Sequence, residues 1–187
     1  MGMSLGENIR VTLFGESHGP AVGALLEGVS PGIEIDIEIL IQDLESRRPG
    51  RRLLSARAEP DECEILSGVY NGKTTGYPIL LLVRNKDAKS RDYGFLPDHP
   101  RPGHADLPEA ERTNGAADLR GGGTQSGRLT LGLVAAGSIA RNLIGDAMVE
   151  AHCSQIGPIK GRIDGTRDGE ACDVLNCNDS EAAEEMF

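Results

Sequence analysis

Apolar positions along this chain change their spacing often, and each change marks an element. Val11 to Phe14 is a short β-branched and apolar run ending at Gly15, and AVGALLEGV over 21–29 follows as a second strand, closed by Ser30-Pro31-Gly32. Asp36 reads as an N-cap, because Ile37, Leu40, Ile41 and Leu44 recur behind it at the helical period, and Pro49-Gly50 stops that helix. In ECEILSGVYNGKTTGYPILLLV, strand-like runs flank Asn71-Gly72, a pair suited to the positive backbone angles of a type I′ hairpin. Residues 85–105 are polar, rich in Asp, Pro and His, and too long for a passive connector. After Gly121-Gly122-Gly123, the spacing of Leu129, Leu133, Ala136, Ala140 and Leu143 predicts one face of a closely packed helix. A β-like run, AMVEAHCSQI, follows over 147–156. Asp179 and Ser180 then cap EAAEEMF, a helix whose first turn is suitably acidic and which stops after about two turns. Strands in pairs with helices between them predict an α+β fold rather than repeated βαβ units.

The 187 residues suffice for one domain with a real core, or for a substantial part of a larger one. With aromatics at 3% and no Trp, that core rests on Leu, Ile, Val and Ala. No apolar run approaches the ~18 residues of a membrane span, so a membrane is not an expected partner. MGMSLGENIR lacks the layout of a secretory signal. Cys63, Cys153, Cys172 and Cys177 show no metal-like paired spacing, and read as thiols in a reducing cytoplasm. A net charge of −10 argues against nucleic acid as a partner. Its distribution says more: ten acids and three bases lie from Gly145 onward, whereas Arg47, Arg48, Arg51, Arg52 and Arg57 fall within eleven residues that contain no acid. Arginine suits planar recognition of phosphate or carboxylate, so this cluster is an anion-site candidate beside the plainer reading of a solvated face.

Gly15-Glu-Ser-His-Gly19 fits G-x-S-x-G, the nucleophile elbow of α/β-hydrolases. That elbow needs a helix after the serine and several strands before it. Here a strand-like run follows, and sixteen residues precede Ser17. The glycines therefore mark a tight turn, with His18 as the reactive candidate if it is more than a turn residue. Asp98 to Asp106 holds His99 and His104 but no i,i+4 histidine pair, so metal is not expected there. A constrained Arg-Pro-Gly-His turn would present Arg101 and His104 together, an anion holder beside a group that titrates near neutrality; an exposed polar loop fits the same residues. GGGTQSGR, a glycine loop opening a helix, offers backbone N–H groups to a phosphate. It lacks the Lys-Ser/Thr ending of a Walker loop and is not G-x-G-x-x-G.

Taken in order, GESHG, SRRPGRR, EPDECEILSGVYNGKTTG, RPGHAD and RGGG–SGR resemble the chorismate synthase family, from near residue 7 to at least residue 144. The resemblance implies an α+β fold, a β-α-β sandwich with antiparallel sheets and helices packed between them. Residues 1–187 would form a single family domain, here its N-terminal half, since members are about twice as long. It implies conversion of 5-enolpyruvylshikimate 3-phosphate to chorismate by anti-1,4 elimination of phosphate in the shikimate pathway. Reduced FMN is implied as cofactor, NADPH as a possible reductant, and a cytoplasmic homotetramer as the full-length form. His18 matches a histidine expected to assist phosphate departure, and His104 one proposed to protonate or stabilise reduced flavin. Arg47 and Arg52 match arginines of the substrate and nicotinamide region. Arg101, Ser126 and Arg128 match further substrate contacts, and Thr124-Gln125-Ser126 the FMN-contacting segment. Where many members carry Arg-Ser-Ser-Ala-Arg, this chain has Thr124-Gln-Ser-Gly-Arg128, without the first arginine. The expected missing half would hold much of the flavin site and an aspartate implicated in deprotonation, so the chain alone is expected to be inactive. The alternative is a non-catalytic remnant that binds anions or pairs with another subunit.

Overall fold

The computed structural model describes residues 3–47, 61–86 and 90–187. These group into two compact units, one within residues 3–145 and one over 146–187. The first contains β1 (Ser4–Leu5), β2 (Arg10–Gly15), β3 (Ala21–Glu27), α1 (Ile37–Arg47), β4 (Cys63–Ser67), β5 (Val69–Tyr70), β6 (Lys73–Thr74), β7 (Ile79–Arg84), α2 (Asp106–Arg112) and α3 (Thr130–Arg141). Five of its strands form a sheet in the order β1-β2-β3-β7-β4, antiparallel throughout. The α+β expectation is met.

Alternation along the two central strands sets the core. Val22, Ala24 and Leu26 of β3 stand opposite Val83, Leu81 and Ile79 of β7, so all six side chains share one face, and all six are buried. Leu40 and Leu44 of α1 and Leu131, Ala135 and Ile139 of α3 complete the same cluster. Each fully buried Leu, Ile or Val contributes ~1.5–3 kcal/mol relative to exposure. Asp36 caps α1 as its type predicts, with Oδ1 accepting from the backbone N–H of Glu38 and Ile39 at 2.9 and 3.2 Å. Ile37 and Ile41, expected on the same face as Leu40 and Leu44, are instead exposed. The Pro49-Gly50 stop signal lies outside the described residues.

The face predicted for α3 holds at Leu129 and Ala136, which are buried, and at Leu143, which packs on the core, but not at Leu133. Leu133 is exposed, and the buried set is Leu131, Gly132, Ala135, Ala136, Ser138 and Ile139. The reason is a two-sided burial that the longest aliphatics do not control. On one side a Cβ at Gly132 would sit 2.5 Å from the Gly23 carbonyl oxygen, so the helix backbone rests directly on β3. On the other, Ser138 and Arg141 donate to the Asp43 carboxylate of α1 at 2.6 and 3.1 Å. Small residues fix the rotation of this helix.

Asn71 and Gly72 have φ of 48° and 75°, as a type I′ turn requires. The hairpin arms, however, are only β5 and β6. Gly68, at φ 80°, breaks the preceding run, and β4 pairs with β7 through an irregularity between Ile65 and Ser67.

The second unit holds β8 (Gln155–Ile156), β9 (Ile159–Lys160), α4 (Glu170–Leu175) and α5 (Ser180–Met186). The strand expected over 147–156 is thus reduced to its last two residues. Met148 and Val149 are more than 80% exposed, so no buried face organises the rest. Asp179 caps α5, accepting from the backbone of Ala182, and Arg162 holds its carboxyl well below the usual range. A small cluster of Ala171, Cys172, Cys177 and Ala183 forms the core. All four cysteines are free thiols, and burial pushes Cys63 up to about 11, which keeps it protonated and poorly nucleophilic. Among the described residues no helix is long and apolar enough to cross a membrane.

Candidate functional site

The GESHG turn joins β2 to β3, strand to strand, so Ser17 does not sit on a strand-to-helix elbow. Ser17 is buried, and its backbone N–H donates to the Gly123 carbonyl at 3.1 Å, docking the turn on the glycine loop. His18 is held on three sides. Its Nδ1 lies 3.1 Å from Ser90 Oγ, and its ring meets Tyr93 edge-on at 4.8 Å between centroids. A Cβ on Gly121 would come within 2.6 Å of His18 Cδ2 and 2.7 Å of Nε2. Only glycine admits that approach, and Nε2 is the nitrogen turned toward the loop.

Gly121, Gly122 and Gly123 have φ of 60°, 86° and 54°, all left-handed. Residues of that hand cannot run on into a right-handed helix. The loop therefore does not open α3 directly, contrary to the sequence expectation. A 3₁₀ turn over Gly127–Leu129 intervenes, with Ser126 Oγ accepting from the Arg128 backbone at 3.3 Å. The helix dipole of α3 is thereby separated from the glycines.

The RPGHAD loop is locked by its own ends. Arg101 donates from Nε and NH2 to the two oxygens of Asp106 at 2.8 and 2.7 Å, and from its backbone N–H at 2.9 Å. Asp106 thus takes two of the five guanidinium N–H donors. The guanidinium carbon also lies 5.3 Å from the Tyr93 centroid, so one ring touches both Arg101 and His18. His104, exposed, has Nδ1 3.2 Å from the Pro102 carbonyl oxygen. A cleft of about 350 Å³ is lined by Arg101, His104, Gly121, Gly122, Gln125 and Ser126, among others. Gln125 is steadied by donating to Glu109 at 3.0 Å, and Thr124 is half-buried in the same segment.

The Arg101 hydrogen bonds lower the Asp106 carboxyl from 3.8 to about 2. A depressed carboxyl pKa stabilises the fold above its unfolded value and loses that contribution as pH falls through the folded one. The RPGHAD lock should therefore be intact at neutral pH and lost between roughly pH 4 and 2. Urea midpoints measured across that window should fall more steeply for the wild-type chain than for Asp106→Asn. Equal slopes would show that the lock contributes nothing.

Arg47 and Arg128 meet on a single carboxylate, and neither lines that cleft. Asp61 accepts from Arg47 NH1 on Oδ2 at 3.1 Å and from Arg128 NH1 on Oδ1 at 3.0 Å. The Asp61 and Arg128 side chains are only 1% and 5% exposed. Arg128 Nε also donates to Asn85 Oδ1 at 2.7 Å. Arg52 lies outside the described residues. Sequence reasoning missed Asp61, Asn85 and Tyr93. Tyr93 carried a signal, being with Phe95 one of two aromatics in the polar stretch of a chain with six. Asp61 had a weaker one, as one of the first acids after the arginine cluster. Asn85 had none.

The sequence model of the chorismate synthase family matches residues 9–187. Curated relatives named chorismate synthase include that of Aeropyrum pernix, 49% identical over 98% of this chain and 50% of its own length. Those of Methanococcoides burtonii and Synechocystis are each 42% identical, over all of this chain and 52% and 53% of their own lengths. The chain thus spans about half the length of the curated relatives it matches. A solved structure described as the crystal structure of chorismate synthase aligns with a TM-score of 0.53 and 32% identity, over 75% of this chain and 35% of that one. A family match across nearly the whole sequence, with GESHG docked on the glycine loop and RPGHAD sharing a cleft with that loop, shows that the chain belongs to the chorismate synthase family.

Proposed function

We propose that this chain supplies the His18–His104 side of a chorismate synthase active centre, which eliminates phosphate from 5-enolpyruvylshikimate 3-phosphate to give chorismate. The observation that carries this reading is the convergence on Gly121, with His18 packed against it and the cleft of Arg101, His104 and Ser126 beside it. Net chemistry is the breaking of one C–O bond, loss of phosphate, and loss of one ring proton as a C=C bond forms. Arg101, fixed by Asp106, offers its remaining N–H donors to the dianion as its charge grows. His18, whose Nδ1 lies 3.1 Å from Ser90 Oγ, turns Nε2 toward the glycine loop, from where it would hydrogen-bond or protonate the departing phosphate. The two histidines lie at separate motifs, so one can serve the phosphate while the other serves the cofactor side.

The residues fit a phosphorylated planar cofactor. The cleft is within the usual size range of ligand sites, its glycines present backbone without Cβ atoms, and Arg101, His104, Gln125 and Ser126 supply polar groups. Reduced FMN, when bound, supplies electron density transiently and leaves the overall reaction redox-neutral. In this chain Gln125, Ser126 and His104 would hold its near side, with Thr124 in the same segment. NADPH would be the source of reducing equivalents, and the family resemblance is what assigns Arg47 and Arg52 to it. We further read both units as parts of one family domain, because the family match runs through both, and the complete enzyme as a cytoplasmic homotetramer.

The test joins this chain to the remaining half of the family length, in one polypeptide or as two. Anaerobic assays with dithionite-reduced FMN should give phosphate and chorismate in equal amounts, and the 187-residue chain alone should give neither. Phosphate release without chorismate, or turnover with no flavin, would overturn the reading.

A further inference from the structure

We propose that Asn85, at the end of β7, is a positioning residue for His18. Its carboxamide Nδ2 donates to two carbonyl oxygens of the GESHG turn, those of Glu16 at 3.0 Å and Gly19 at 2.8 Å. Those two residues flank His18 in sequence, so one planar group holds the backbone on both sides of the histidine. The backbone N–H of Asn85 adds a third bond, to the Pro20 carbonyl at 3.1 Å. On the opposite side Oδ1 accepts from Arg128 Nε at 2.7 Å, and Arg128 is anchored to Asp61.

The neighbours fix the orientation of this amide. Rotating it by half a turn would set its oxygen against two carbonyl oxygens and its NH₂ against a guanidinium, so all three contacts would become repulsive. Ser90, Tyr93 and Gly121 surround the His18 ring but not its backbone. Asn85 therefore sets where the ring starts from, and the others set how it turns. A buried ion pair below and a catalytic-candidate histidine above are linked through one neutral side chain.

That the position matters for turnover rests on the reading of His18 given above; the geometry itself is tested independently of activity. The chain has four histidines, so His99, His104 and His152 serve as internal references. In ¹³C-labelled protein the His18 ring signals should stand apart from unstructured values because of the adjacent Tyr93 ring, and Tyr93→Leu should identify them. Asn85→Asp keeps an acceptor for Arg128 but removes both side-chain donors to the turn; Asn85→Ala removes every side-chain contact and leaves only the backbone bond to Pro20. Both should return the His18 signals to unstructured values and leave the other three unchanged. An undisturbed His18 in a folded Asn85→Asp protein would overturn the proposal.

Should the variants unfold, shifting all four histidines together, the wild-type chain decides. Both Asn85 Nδ2 protons should exchange with solvent far more slowly than those of an exposed amide, and fast exchange would overturn the proposal. In the assembled enzyme, Asn85→Asp should lower kcat by about 10²-fold with KM little changed, since a misplacement of about 1 Å has that cost. An assembly without activity but with the wild-type His18 signature would fail the proposed reaction while leaving the positioning role standing.

Discussion

Alanine at His18 or at His104 is expected to lower turnover of the assembled enzyme by ~10²–10⁴-fold, the usual contribution of a positioned acid or base. The two losses have different origins. His18 presents Nε2 toward the glycine loop, and its removal takes away a proton donor for the departing phosphate. His104 lines the cleft with Arg101 and Ser126, and its removal acts on the cofactor side. In both variants the KM for the phosphorylated substrate should change little, because Arg101 stays locked to Asp106. Ser17→Ala should show no nucleophile-like defect, and no covalent adduct should be trapped on Ser17. Ser17 is buried, and the bond that docks it on Gly123 comes from its backbone. Stopped-flow assays of phosphate release would separate these cases, and near-normal kcat in both histidine variants would remove the assigned roles.

The largest effect on stability is expected at Asp61. Its carboxylate gives one oxygen to Arg47 and the other to Arg128, and Arg128 is almost wholly buried. Removing one member of a buried ion pair leaves the other desolvated without compensation, at a cost of about 3–5 kcal/mol. Asp61→Ala should lose that much in urea-induced unfolding, a large part of the ~5–15 kcal/mol typical of a domain. Arg128→Met, which keeps most of the volume and leaves Asp61 paired with Arg47, should be milder. A loss below ~1 kcal/mol for Asp61→Ala, the range of an exposed pair, would place these groups in water.

Much of the fold could be read from spacing. β2, β3, α1 and the Asn71-Gly72 turn follow from alternation, a capping aspartate and a dipeptide with one preferred geometry. The errors share a cause. Spacing placed Leu133 on the buried face of α3, whereas Gly132 against Gly23 and Ser138 against Asp43 set its rotation. Such contacts depend on what lies opposite, which periodicity does not encode. The site divides in the same way. His18, Arg101, His104 and the glycines lie in short motifs whose composition betrays constraint. Asp61 and Asn85 act by bridging motifs distant in sequence; Asp61 is marked only by its place after the arginine cluster, and Asn85 by nothing.

The contact between Gly121 and His18 also bears on inheritance. With the imidazole edge against one glycine, and Ser17 docked on another two residues later, the GESHG turn and the glycine loop form one surface built from two exchangeable-looking pieces. Chimaeras with a crossover between positions 19 and 120 would take these pieces from different parents. Any parent whose loop carries a side chain at position 121 would push the imidazole from its place, however well each fragment folds in its own background. Recombination among relatives should therefore yield working progeny mainly when both pieces come from one parent, or from parents that both carry glycine at position 121.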